Sequence, residues 1–132
     1  MKLNEKIKEY ILSRTVSSSE RRIGIEVECF IYKKNFSRIP VNKSKEYSAI
    51  DLLNELNKIN KDSNGTYSLE PGGQIEWSSP PCENMFELDD ALASYKSLID
   101  SILNKRKLSS LYIGVEPFTD PRNIELIDQK KY

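Results

Sequence analysis

Apolar residues along this chain follow two rhythms. At the N-terminus Leu3, Ile7, Tyr10 and Ile11 recur three and four residues apart, the period of a short amphipathic helix. The same period returns from about Tyr47 to Asn60 through Tyr47, Ile50, Leu53, Leu56 and Ile59. It returns again over roughly Asn84 to Lys107. There Leu88, Leu92, Tyr95, Ile99 and Ile102 form the buried stripe of the longest helix, and Lys105, Arg106 and Lys107 suit the negative end of its dipole. Elsewhere apolar and polar positions alternate, which predicts strands. From Arg22 to Tyr32 the apolar residues Ile23, Ile25, Val27 and Cys29 alternate with positions that include Glu26 and Glu28. Thr66 to Glu70 reads as strand, Pro71-Gly72-Gly73 interrupts it, and Gln74 to Ser78 resumes it before Pro80-Pro81. Leu111 to Val115 is a further strand, closed by Pro117.

Turn chemistry marks the joints. Thr15 to Glu20 is a polar loop, Lys33 to Arg38 a turn, and Asp62-Ser63-Asn64-Gly65 ends the second helix. Ile39-Pro40-Val41 reads as a short returning edge strand, where proline is tolerated. With its first strand pair hairpin-like, the pattern predicts an α+β fold, a mostly antiparallel sheet with flanking helices. Asp120 to Tyr132 shows little periodicity and no evident closing element.

Composition removes several classes of function. The length, 132 residues, suits one domain. Twenty basic and twenty acidic residues cancel and are interspersed, so no basic stripe supports nucleic-acid binding. The absence of a long apolar run, or of a leader after Met1, argues against a membrane role. Cys29 and Cys82 lie far apart without a CxxC pair, which reads as two reduced thiols in a cytoplasmic protein, a disulfide being the alternative. Histidine is absent, which excludes His-based triads and imidazole acid–base chemistry. Catalysis must then use carboxylates, Lys or Arg, hydroxyls, thiols or a bound metal.

The strand residues narrow this further. Residues two apart on a strand share a face, so Glu26 and Glu28 point together, as do Gln74, Glu76 and Ser78, each set opposite an apolar row. Side-by-side like charges destabilise a sheet. The face is therefore either solvated and screened by water, or a carboxylate cluster for Mg²⁺, a hard ion that prefers oxygen ligands. Gly72-Gly73 is either a simple turn or a close approach of backbone to a ligand.

The string Leu69-Glu70-Pro71-Gly72-Gly73-Gln74-Ile75-Glu76-Trp77-Ser78-Ser79-Pro80 closely resembles a signature of glutamate–cysteine ligases of the plant and bacterial type. Arg22-Ile23-Gly24-Ile25-Glu26-Val27-Glu28 resembles that family's first strand, with Val27 where many relatives place His. Ser110-Leu111-Tyr112-Ile113-Gly114-Val115-Glu116-Pro117 resembles a later family strand. The resemblance covers about Arg21 to Pro117. It implies the N-terminal part of a glutamine-synthetase-like catalytic fold. The implied reaction joins the γ-carboxylate of glutamate to the amine of cysteine through an acyl phosphate, with ATP and Mg²⁺, as the first step towards glutathione.

On this resemblance the metal ligands are Glu26, Glu28 and Glu76. Glu70, Gly72, Gly73 and Gln74 line the substrate and nucleotide side, with Glu70 as ligand or loop-ordering residue and the glycine N–H groups available to a carboxylate or phosphate. The family's members run to several hundred residues. Residues 1–132 are then expected to be one incomplete catalytic domain, inactive alone, with two unpaired strand edges and a missing remainder as partner. Another glutamate–amine ligase of the same fold, or a non-catalytic Mg-nucleotide-binding half-domain, are the alternatives.

Overall fold

A computed structural model describes residues 2–60 and 64–128. Its elements in chain order are α1 (Leu3–Leu12), β1 (Glu26–Lys33), α2 (Ala49–Ile59), β2 (Thr66–Leu69), β3 (Ile75–Ser78), α3 (Met85–Lys105) and β4 (Leu108–Leu111). Short 3-10 turns at Ser18–Glu20 and Pro121–Asn123 complete the path. The four strands form one sheet in the order β2-β3-β1-β4, and every pairing is antiparallel. The fold is α+β. Strands β2 and β4 lie at its edges, each paired on one side among the described strands.

One face of the sheet is apolar. Val27, Cys29 and Ile31 of β1, Ile75 and Trp77 of β3, and Tyr67 and Leu69 of β2 project into a core closed by α2 and α3. Trp77 stacks on Tyr95 of α3 with ring centroids 4.7 Å apart and planes 5° from parallel, and both side chains are fully buried. The Trp77 indole N–H donates to the Asn64 carbonyl at 2.8 Å, so the largest core residue leaves no polar atom unpaired. Each fully buried Leu or Ile in this cluster stabilises the fold by roughly 1.5–3 kcal/mol.

The helices begin where side-chain caps allow. Ser48 accepts the Asp51 N–H and donates to the Asp51 carboxylate, which in turn accepts the Ser48 N–H, and α2 starts at Ala49 rather than Tyr47. Asn84 accepts the N–H groups of Phe86 and Glu87 and starts α3. Lys107, at φ 57°, ends α3 with a left-handed residue.

Several expectations shift. The buried stripe of α2 is Ala49, Leu52 and Leu56, with Ile50 and Leu53 partly covered. Ile59, expected in the stripe, is exposed at the helix end. The third strand motif falls earlier than expected, at Leu108–Leu111, because the left-handed Lys107 turns the chain straight into pairing with β1. Ile39-Pro40-Val41 forms no strand; a single bridge joins Tyr32 to Arg38. Helix α1 forms over its predicted residues but buries none of them. Of the turn at Asp62–Gly65, Asp62 and Ser63 lie outside the described residues. Both thiols are free and buried. Cys29, beside the Tyr95 hydroxyl at 3.7 Å, has its thiol pushed up to about 11 by burial. Among the described residues no helix is long and apolar enough to cross a membrane.

Candidate functional site on the acidic face of the sheet

The opposite face carries the acidic residues. Pairing on β1 and β3 sets Glu28 directly across from Glu76 and Glu26 across from Ser78, while Ser68 of β2 faces Glu76 from the other side. Directly opposed residues share a face, so this register puts Glu26, Glu28 and Glu76 on one face of the sheet. Glu26 is exposed and the other two are half-buried. Among the described residues none of the three, nor Glu70, makes an ion pair with Lys or Arg. Their hydrogen bonds come from neutral donors. The Gln74 amide donates to Glu28 at 2.9 Å, and the Ser68 hydroxyl donates to Glu76 at 2.9 Å.

The glycine insert is a hairpin turn. Leu69 pairs with Ile75, the Glu70 N–H donates to the Gln74 carbonyl at 3.0 Å, and the Gly73 N–H donates to the Glu70 carbonyl at 2.8 Å. This is the three-residue connection in which Pro opens the turn and a left-handed residue closes it. Gly73 is that residue, at φ 81°, and a Cβ there would lie 2.6 Å from Val41 Cγ2. The insert thus joins two strands instead of interrupting one. The Gly73 N–H is taken up by the turn, so the expectation that it is available to a substrate anion does not hold. The Gly72 N–H makes no hydrogen bond among the described residues.

Farther along β1 the same face is closed. Phe30 and Tyr32, both buried, lie under the segment from Glu116 to Thr119 and under Arg38. The buried Glu116 carboxylate accepts the Tyr32 hydroxyl at 2.7 Å, the Phe118 N–H at 3.1 Å and the Thr119 N–H. Burial alone would raise the Glu116 carboxyl, but these hydrogen bonds outweigh it and hold it below its ordinary value. Burial, the hydrogen bond to Glu116 and its charge push the Tyr32 hydroxyl up, so it stays protonated as donor. Glu116 stands in the third motif, where the string alone assigns it no role.

The last described segment also belongs to this frame. The Ile127 N–H donates to the Pro71 carbonyl at 2.9 Å. The Glu125 carboxylate accepts the Val41 N–H at 2.9 Å, and the Asn42 N–H at 3.0 Å and side-chain amide at 2.9 Å. The segment after Asp120, which shows little periodicity, is held by these hydrogen bonds to distant loops and by the buried Ile127 side chain. Gln129 to Tyr132 lie outside the described residues.

The family model of glutamate-cysteine ligase family 2 matches residues 22–132. The chain belongs to glutamate-cysteine ligase family 2. The match covers both acidic strands, the glycine turn and the segment that pins it. Membership makes this a chain of ligase type, of the kind that joins a carboxylate to an amine. No curated protein sequence matches it.

Carboxylate oxygens are the donors that a hard ion such as Mg²⁺ takes. Oxygen donors from two adjacent strands lie on an open face, without cationic partners among the described residues. Among those residues no group of three or more His, Cys, Asp or Glu side chains is placed to hold a metal ion. An all-protein cage is not what Mg²⁺ demands: it typically takes one or two carboxylates and completes its shell with waters and substrate phosphates.

Proposed function

We propose that this chain carries the acidic wall of an ATP- and Mg²⁺-dependent glutamate–cysteine ligase, which joins the γ-carboxylate of glutamate to the amine of cysteine. The observation that carries the reading is the opposition of Glu28 and Glu76 on the open sheet face, with Glu26 beside them, within the family-matched segment. A carboxylate is a poor electrophile, and transfer of a phosphoryl group from ATP makes it an acyl phosphate that the amine can displace. Bringing triphosphate against a carboxylate stacks negative charge, which bound Mg²⁺ neutralises.

In this reading Glu26, Glu28 and Glu76 hold the cation side of the site. Gln74 orients Glu28, and the turn from Glu70 to Gln74 shapes the substrate edge. The described residues form one wall only, so groups that hold the phosphates from the facing side belong to the same proposal. Two free, buried thiols are in keeping with a reducing, cytoplasmic setting.

The test is an assay of the complete gene product with ATP, glutamate and a panel of amines, following ADP release. Release that depends on both glutamate and cysteine is the expected result. ADP release with another amine and none with cysteine would reassign the acceptor, and none with any amine would remove the ligase reading.

A further inference from the structure

The glycine turn between Glu70 and Gln74 is held from outside by one charged side chain. Arg38 follows the turn after β1 and has no role in the motifs around it. Its guanidinium lies over the Phe30 ring, 4.6 Å from the centroid, on the acidic face of the sheet, and donates through Nη2 to the Gly72 carbonyl. The same Nη2 lies 2.9 Å from where a Cβ on Gly73 would stand, and Val41 Cγ2 lies 2.6 Å from it. Arg38 and Val41 together enclose the turn on one side. The loop that carries them is fixed in turn by Glu125, which accepts the N–H groups of Val41 and Asn42.

A solvated surface arginine would look different. The Nε of Arg38 is buried and has no partner among the described residues, and leaving a buried donor unpaired is destabilising. Burial lowers the affinity of the guanidinium for its proton, while the nearby Tyr32, Glu116 and Glu125 oppose the shift. Arginine remains cationic under such conditions, where lysine need not. Downstream of the turn, the Gln74 amide donates both to Glu28 at 2.9 Å and to the Ile113 carbonyl at 3.3 Å. A turn that slackened at Gly72 would carry Gln74 with it and release Glu28.

We propose that Arg38 is a positioning residue for the ligase site: its guanidinium braces the Gly72 carbonyl and so holds Gln74, and through it Glu28, on the acidic face. This rests on the ligase reading of that face.

Amide hydrogen exchange and steady-state kinetics on the complete protein test it, with Arg38→Ala and Glu76→Gln compared in parallel. Arg38→Ala is expected to speed exchange over Leu69 to Ile75 and to lower kcat about 10–100-fold, the usual effect of removing a partner that orients a ligand. Millimolar guanidinium, but not methylammonium, should restore part of both, because it refills the space that the side chain leaves. Unchanged exchange in Arg38→Ala overturns the inference. So does turnover within twofold of wild type while Glu76→Gln is inactive, an outcome that leaves the site reading intact. Full activity in both variants overturns the site reading and the inference together. A loss in Arg38→Ala that merely follows a fall in Tm, with no recovery by guanidinium, shows a folding defect and overturns the positioning role.

Discussion

Glu28 and Glu76 are Cα partners across the β1–β3 ladder, so two carboxylates stand opposite one another on one sheet face. Like charges so placed destabilise a sheet by roughly 0.2–1 kcal/mol, which this fold tolerates on a face without lysine or arginine partners among the described residues. Glu28→Gln is therefore expected to raise Tm slightly in EDTA while reducing ligase turnover. Thermal denaturation with and without Mg²⁺ checks the first half. The wild type should gain more from Mg²⁺ than the variant.

Gly73 tests the hairpin. Its left-handed φ and the 2.6 Å approach of Val41 Cγ2 to a Cβ leave no room for a side chain. Gly73→Ala should destabilise by about 1–3 kcal/mol, the range for strained backbone positions. Gly114 has nothing within 4 Å of its would-be Cβ, so Gly114→Ala should leave the midpoint of urea denaturation nearly unchanged.

Burial separates two helices that look alike by periodicity. Ile99 of α3 is fully buried, and Ile99→Ala should cost about 2–5 kcal/mol. Ile7 of α1 is 49% exposed in a helix with no buried residue, and Ile7→Ala should change stability by less than about 0.5 kcal/mol. Denaturant titration of the two variants distinguishes them.

Glu116 and Glu125 predict an acid-sensitive frame. For each, burial would raise the carboxyl, but hydrogen bonds hold it below its ordinary value of 4.5, joined for Glu125 by the field of Arg38. A carboxylate whose pKa is depressed by folding contributes stability that is present above the unfolded value and lost as pH falls through the folded one. Tm of the wild type should therefore fall more steeply below about pH 4.5 than Tm of Glu116→Gln, with the two curves diverging most above that pH. Parallel slopes across this range would remove Glu116 from the frame.

The parts legible in the sequence were those with a local cause. Alternation alone puts Glu26 and Glu28 on one side of their strand and Glu76 on the polar side of its own, and periodicity locates α2 and α3 within a residue or two. The turn at Pro71-Gly72-Gly73 was visible as a break, but its nature depended on whether Leu69 pairs with Ile75, a contact between strands. The displaced β4 has a similar origin. Leu108-Ser109-Ser110-Leu111 carries a weak strand pattern, and its register comes from Phe30 and Tyr32 on the neighbouring strand. Helix α1 was predicted correctly as a helix, yet periodicity cannot say whether an apolar stripe finds a partner. Arg38, Glu116 and Glu125 act through hydrogen bonds to Gly72, Tyr32 and the Val41–Asn42 segment, all distant in sequence, which leave no periodic trace.

Whether the acidic face works as a metal–nucleotide wall is decided by Glu76→Gln. Glutamine keeps the shape and the hydrogen bond from Ser68 but removes an anionic oxygen ligand. In the complete protein, ADP release with glutamate, cysteine and MgATP should fall about 10²–10³-fold, the scale of losing one electrostatic stabiliser, with Tm nearly unchanged. Turnover close to wild type in that variant would contradict the account.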